Sequence, residues 1–67
     1  MSINRDQNNI IRADRHNSLG IELANRGWFD EATKEFNQAI ATMPDYSDPY
    51  DNIASVYCDK KDYLNKR

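Results

Sequence analysis

The chain has one cysteine, Cys58, and one histidine, His16. A lone cysteine closes no internal disulfide and supplies no thiolate cluster for zinc. Basic residues do not outnumber acidic ones: 9 Lys and Arg stand against 11 Asp and Glu, for a net charge of −2. The basic stripe of a phosphate-backbone binder is therefore missing, and nucleic acid is not an expected partner. No apolar run approaches the roughly 18 residues that mark a membrane span. The opening MSINRDQNNII has no basic stretch leading into an apolar one, so neither a secretory leader nor a membrane anchor is expected. A reducing, cytoplasmic setting follows as the default. Two glycines and two prolines are few for 67 residues, which fits a few long helices better than many short strands.

A chain of this length is one domain at most and buries only about 60% of the surface that its unfolded form exposes. Stability is expected to be marginal, and neither a staple nor a metal site is evident, so a partner chain is a natural source of further burial. Ala32, Phe36, Ala39, Ile40 and Met43 recur at steps of four, three, one and three, the stripe of a 3.6-residue helix from Asp30 to Met43. Asp30 is a candidate N-cap, and Pro44 stops the helix. Upstream, Ala13, His16, Leu19, Gly20, Leu23 and Gly27 give a second helix, from Asp6 or Arg12 to Asn25. Gly27 is placed to take the left-handed conformation that ends helices, making RGWF a tight link between antiparallel helices. Residues 1–12 either lengthen that first helix or fray. Downstream, PDYSDPYD is a loop with Ser47 or Asp48 as N-cap and Pro49 in the first turn of a third helix. Tyr50, Ile53, Ala54, Tyr57 and Leu64 stay in helical phase along it, and it is expected to run toward Leu64. The fold class is therefore all-α: an antiparallel helical hairpin plus a third helix.

A shift of 34 residues sets His16 on Tyr50, Leu19 on Ile53, Gly20 on Ala54, Leu23 on Tyr57 and Phe29 on Tyr63. Large falls on large and small on small. The first unit reads His16-x2-Leu19-Gly20-x2-Leu23, then Ala32-x3-Phe36, then Pro44. Period and pattern resemble the tetratricopeptide repeat, W-x2-L-G-x2-Y, A-x3-F, P. The resemblance covers residues 13 to 64, and the chain divides into an N-terminal extension (1–12), one unit (13–46) and the first helix of a second (47–67). It departs at His16, at Leu23, and at Lys61, which stands where the first unit has Gly27. In such repeats Gly20 and Ala32 let the paired helices approach, Leu19, Leu23, Phe36 and Ile40 fill the space beside them, and Pro44 ends the hairpin.

The resemblance implies a non-catalytic module for binding a protein or peptide on a concave face. Mapped here, that face presents Asp14, Asn17, Ser18, Ile21, Ala24 and Asn25, with Asp48, Asp51, Asn52, Ser55, Cys58 and Asp59 opposite. Four of these twelve are aspartates and none is basic. That disfavours the chaperone-adaptor subgroup, whose groove clamps a peptide carboxylate, and suits a basic or polar peptide better; an ordinary solvated face is the plain alternative. Enzymatic candidates do not converge. His16 occupies a packing position and has no second ligand near it, Cys58 has no neighbouring histidine to activate it, and no phosphate loop, HExxH or GxSxG is present. Asp45, Asp48 and Asp51 lack the glycine and distal glutamate of a calcium loop. No cofactor is expected. Ile10, Ile11 and Trp28 are expected to lie exposed, as is an apolar surface of Tyr50, Tyr57, Tyr63 and Leu64 on the third helix, because one and a half units leave repeat faces uncovered. The alternative function is accordingly self-assembly through those four residues into a homo-dimer or larger.

Overall fold

A computed structural model describes the backbone of residues 4–65 and the side chains of residues 8–62. It is all-helical: α1 spans Asn4–Asn25, α2 spans Phe29–Thr42 and α3 spans Asp48–Asn65. α1 and α2 form the expected antiparallel hairpin. α3 packs on α2 and touches α1 at fewer places, so α2 is the element that both other helices share. Asn52 meets Asn17, while Lys60 reaches Asp30. α3 thus runs in the direction of α1 and against α2.

The first link is built as the glycine predicts. Gly27 has φ of +86°, the left-handed region that a side chain disfavours. The Trp28 N–H donates to the Leu23 carbonyl (2.9 Å) and the Gly27 N–H to the Ala24 carbonyl (3.0 Å). This nested pair is the Schellman arrangement that satisfies a helix's last carbonyls. Trp28 also accepts from the Ala32 N–H at 2.9 Å, so its backbone closes α1 and opens α2 at once. The expectation of Asp30 as N-cap is corrected by this geometry. Trp28 holds the cap position with no side-chain cap bond, and Asp30 lies inside the first turn, where its charge favours the helix dipole.

At the far end, α2 stops at Thr42 ahead of Pro44, one residue sooner than expected, and Met43 caps it by donating to the Ala39 carbonyl. The Ser47 carbonyl then accepts from Tyr50 (3.0 Å) and Asp51 (3.4 Å), which makes Ser47 the entry to α3. Pro49 sits in the first turn and is fully buried. α3 continues past the register position of Gly27, because Lys61 offers no left-handed stop. α1 spans Asn4–Asn25 and runs unbroken through residues 12 and 13, so residues 4–12 extend the helix; residues 1–3 lie outside the described residues.

The core is small: Ala13, Ala32, Phe36, Ala39 and Val56 are buried, with Leu23, Ala24, Phe29 and Ile53 partly buried around it. Phe36 is its largest side chain, 1% exposed, and full burial of a ring contributes about 1.5–3 kcal/mol. Its seat depends on Gly20, where an added Cβ would stand 2.6 Å from Cδ1 and 2.8 Å from Cζ of that ring. One packing expectation is corrected. Leu19 is 43% exposed and lies on the flank of α1 turned away from α2. On α3, the buried edge is Pro49, Ile53 and Val56, whereas Tyr50, Ala54 and Tyr57 are exposed. The helix meets α2 with the edge adjacent to the stripe that apolar spacing singles out.

Candidate functional site

Polar residues tie α1, the second loop and α3 together beside the expected concave face. Asn17 is 5% exposed. Its amide nitrogen donates to the Tyr46 hydroxyl (3.4 Å), and its carbonyl oxygen accepts from the Asn52 amide (2.7 Å). The Tyr46 hydroxyl in turn donates to Asp14 Oδ1 at 3.3 Å. Partial burial, followed by the nearby Asp14 and Asp48 carboxylates, raises the Tyr46 pKa above its usual value. These surroundings hold the phenol neutral and make it a steady donor.

The expectation that Asn17 offers its amide to a ligand is corrected by this network. The side chain is enclosed, and both ends of its amide are used within the chain. Tyr46 was missed because it lies in the loop, outside both helical stripes. The one available signal was its place between Pro44 and Pro49 in a short acidic segment.

Farther along, α1 and α3 separate and leave a cleft of about 110 Å³. Ile21 and Asn25 stand on the α1 side, Asn52, Ser55 and Asp59 on the α3 side, and Ala24, Phe36 and Val56 complete the lining. Six of the twelve residues expected on the concave face are thus brought to one place. Asp14 and Ser18 lie instead on an open trough along α1, which they share with Arg15, Leu19 and Glu22; Ile21 and Asn25 line both surfaces. Asp48 sits beside Tyr46, and Asp51 is exposed on α3. A separate apolar hollow of about 290 Å³ is lined by Ile10, Ile11, Met43 and Tyr46, with Asp14 and Arg15. Arg15 therefore gives the surroundings of the face a positive charge that the expected residue set lacks.

Of the expected self-assembly residues, Tyr50 is 48% and Tyr57 61% exposed; the side chains of Tyr63 and Leu64 lie outside the described residues. Trp28 is 59% exposed at the hairpin tip, and Ile10 and Ile11 are about half exposed. Cys58 is an exposed free thiol. His16 is not simply packed: its Nδ1 lies 2.7 Å from Glu35 Oε1 and links α1 to α2. Among the described residues, no group of three or more His, Cys, Asp or Glu is placed to hold a metal ion. No helix among them is long and apolar enough to cross a membrane.

No protein-family model matches the chain, and no solved structure matches it.

Proposed function

We propose that the chain is a non-catalytic interaction module of tetratricopeptide type that binds a segment of another protein in the cleft between α1 and α3. The observation that carries this reading is the cleft itself. It combines an apolar contribution from Ile21, Val56 and Phe36 with the polar groups of Asn25, Asn52, Ser55 and Asp59. A few placed polar groups around an apolar base suit one side chain of a bound segment, with hydrogen bonds to its backbone. The Asn17–Tyr46–Asn52 network supports the reading further, because it fixes α3 against α1 and so presets the spacing of the cleft walls. Asp59 at the rim, with Asp14 and Asp51 elsewhere on these helices, favours a segment bearing Lys or Arg.

The test is to select binding peptides from a random library on the whole chain and titrate the best by fluorescence anisotropy. Basic peptides with an apolar anchor are expected, with affinity falling several-fold on Asp59→Lys and on Ile21→Asp while far-UV circular dichroism is unchanged. Selected peptides that bind both variants as tightly as the original chain would remove the cleft from consideration.

A further inference from the structure

We propose that the outer edge of α1, built on Arg12, Arg15, Leu19, Glu22 and Arg26, seats an acidic amphipathic helix of another protein, antiparallel to α1. All five residues are exposed, and at about 100° per residue they share a band about 80° wide. Arg15, Leu19 and Glu22 line an open trough of about 530 Å³. The chain itself supplies the template, because α3 uses its copy of this edge. Under the 34-residue shift Arg15, Leu19, Glu22 and Arg26 correspond to Pro49, Ile53, Val56 and Lys60. Those four form the side of α3 that meets α2: Pro49 and Val56 are buried, Ile53 packs on the core, and Lys60 reaches Asp30 at 2.9 Å. On α1 the same edge is uncovered.

The charges of the edge define what covers it. Three arginines and one glutamate give it a net charge of +2 on a chain of net charge −2. The ion pairs among the described residues, His16–Glu35 and Lys60–Asp30, involve none of these side chains. Asp14 also lines the trough, but on the flank away from Leu19, where it accepts from the Tyr46 hydroxyl. Leu19, 43% exposed, supplies the apolar centre. A fitting helix therefore carries an apolar residue between carboxylates. Their spacing follows from the antiparallel pair of α2 and α3. With Asp30 against Lys60, the α2 position level with Pro49 is residue 41, and residues 30 and 41 fall within about 20° of one face. An acid in the first turn of the occupant thus reaches Arg26, and a second acid three turns later reaches Arg15, with Arg12 beside it. A second copy does not supply this helix, because its α2 line is held by its own α3. Glu22 within the band and Leu19 at its centre suit a protein helix better than a phosphate backbone.

The probe is a synthetic helix with the sequence of residues 29–42 carrying Ala41→Glu, which sets carboxylates at both positions. A hydrocarbon staple joining positions 32 and 36 keeps it helical and removes the Phe36 face that would let it replace the chain's own α2. It is titrated into the whole chain, labelled with nitrogen-15, and followed by amide chemical shifts. Shifts are expected along the Arg12–Arg26 edge, with affinity that weakens as salt is raised. The chain carrying Arg15→Glu and Arg26→Glu should bind several-fold more weakly, and a probe with Asp30→Lys and Ala41→Lys should recover that loss. Asp59→Lys should leave the titration unchanged, which separates this edge from the cleft. If the double reversal is unfolded by circular dichroism, Arg15→Gln and Arg26→Gln, tested singly, should each weaken binding. No binding at submillimolar probe, shifts confined to the cleft and α3, or a reversed probe that fails to recover the loss would overturn the proposal. So would an RNA oligonucleotide or an anionic phosphatidylserine vesicle that binds the same edge and is not displaced by the probe.

Discussion

Gly20→Ala tests the geometry of the core most directly, because two effects of opposite sign meet at one methyl group. In an exposed helix interior, alanine stabilises over glycine by about 1 kcal/mol. At residue 20 the new Cβ would stand 2.6 and 2.8 Å from two atoms of the Phe36 ring, against about 3.5–4.0 Å for carbon atoms in contact. The ring has little room to retreat, since it is 1% exposed and sits among Ala32, Val56 and partly buried neighbours. Overpacking of this kind costs about 1–3 kcal/mol. The net expectation is a loss of about 0–2 kcal/mol. For a domain of this size each kcal/mol corresponds to roughly 4–8 °C in Tm.

The decisive form of the measurement is a cycle with Phe36→Leu, which removes the far ring atoms from the contact. Each variant is followed by urea unfolding, monitored by far-UV circular dichroism at one protein concentration. Gly20→Ala should destabilise the original chain and stabilise the Phe36→Leu chain, with the coupling expected of residues in direct contact. Stabilisation of similar size in both backgrounds would refute the close approach of α1 and α2 at this point.

Gly27→Ala meets no atom within 4 Å but must hold φ near +86°; it should cost about 1–2 kcal/mol by backbone strain alone, with Gly27→Asn costing less in the same urea titration. Asn17→Ala strips partners from both the Tyr46 hydroxyl and the Asn52 amide, and a stability loss of about 1–3 kcal/mol is expected; an unchanged midpoint would show that the network does not secure α3. Because the native Tyr46 pKa is raised, the folded state favours the neutral phenol. Its contribution is fully present below about pH 10 and is lost as pH rises through the native value. Unfolding midpoints of the original chain and Tyr46→Phe should therefore run parallel below that pH and converge above it. Asp30→Ala should change the midpoint little, since the Asp30–Lys60 pair joins a side chain 84% exposed to one 41% exposed and such pairs are worth about 0–1 kcal/mol.

Three helices and their links were legible because each boundary is marked by a residue with a strong local preference: Gly27 by its positive φ, Pro44 by ending α2, and Pro49 by tolerating a first turn. Periodicity also gave α2 its buried face correctly, since Ala32, Phe36 and Ala39 are its buried residues. On α3 it gave part of the contact: Ile53, in phase with Tyr50, Ala54 and Tyr57, packs on the core beside Val56, while Tyr50, Ala54 and Tyr57 are exposed. A helix at the edge of a layer buries the side facing its neighbour, and hydrophobic phase alone does not say which of two adjacent apolar lines that is. The cleft was legible only in part. Ile21, Asn25, Asn52, Ser55 and Asp59 were placed on one face by the resemblance to the repeat family, but Asn17 was lost to the interior because its partner, Tyr46, belongs to neither stripe.

The two open faces of α3 follow from this displacement of phase. Ser55 and Asp59 lie about 140–180° around α3 from Tyr50, at 100° per residue. The edge that meets α2 lies between the two surfaces on one side, leaving one open toward α1 and the other away from the chain. Had α3 buried the same residues that α1 buries, Tyr50, Ala54 and Tyr57 would lie against α2, and that apolar line would not remain exposed. The requirement that consecutive helices share α2 rotates each one's contact edge relative to its equivalent. The same rotation exposes Leu19 on α1, where Ile53 is its half-buried counterpart on α3. An end helix of this kind offers two chemically different faces, the polar one that lines the cleft with Asn52, Ser55 and Asp59 and the exposed one that carries Tyr50 and Tyr57.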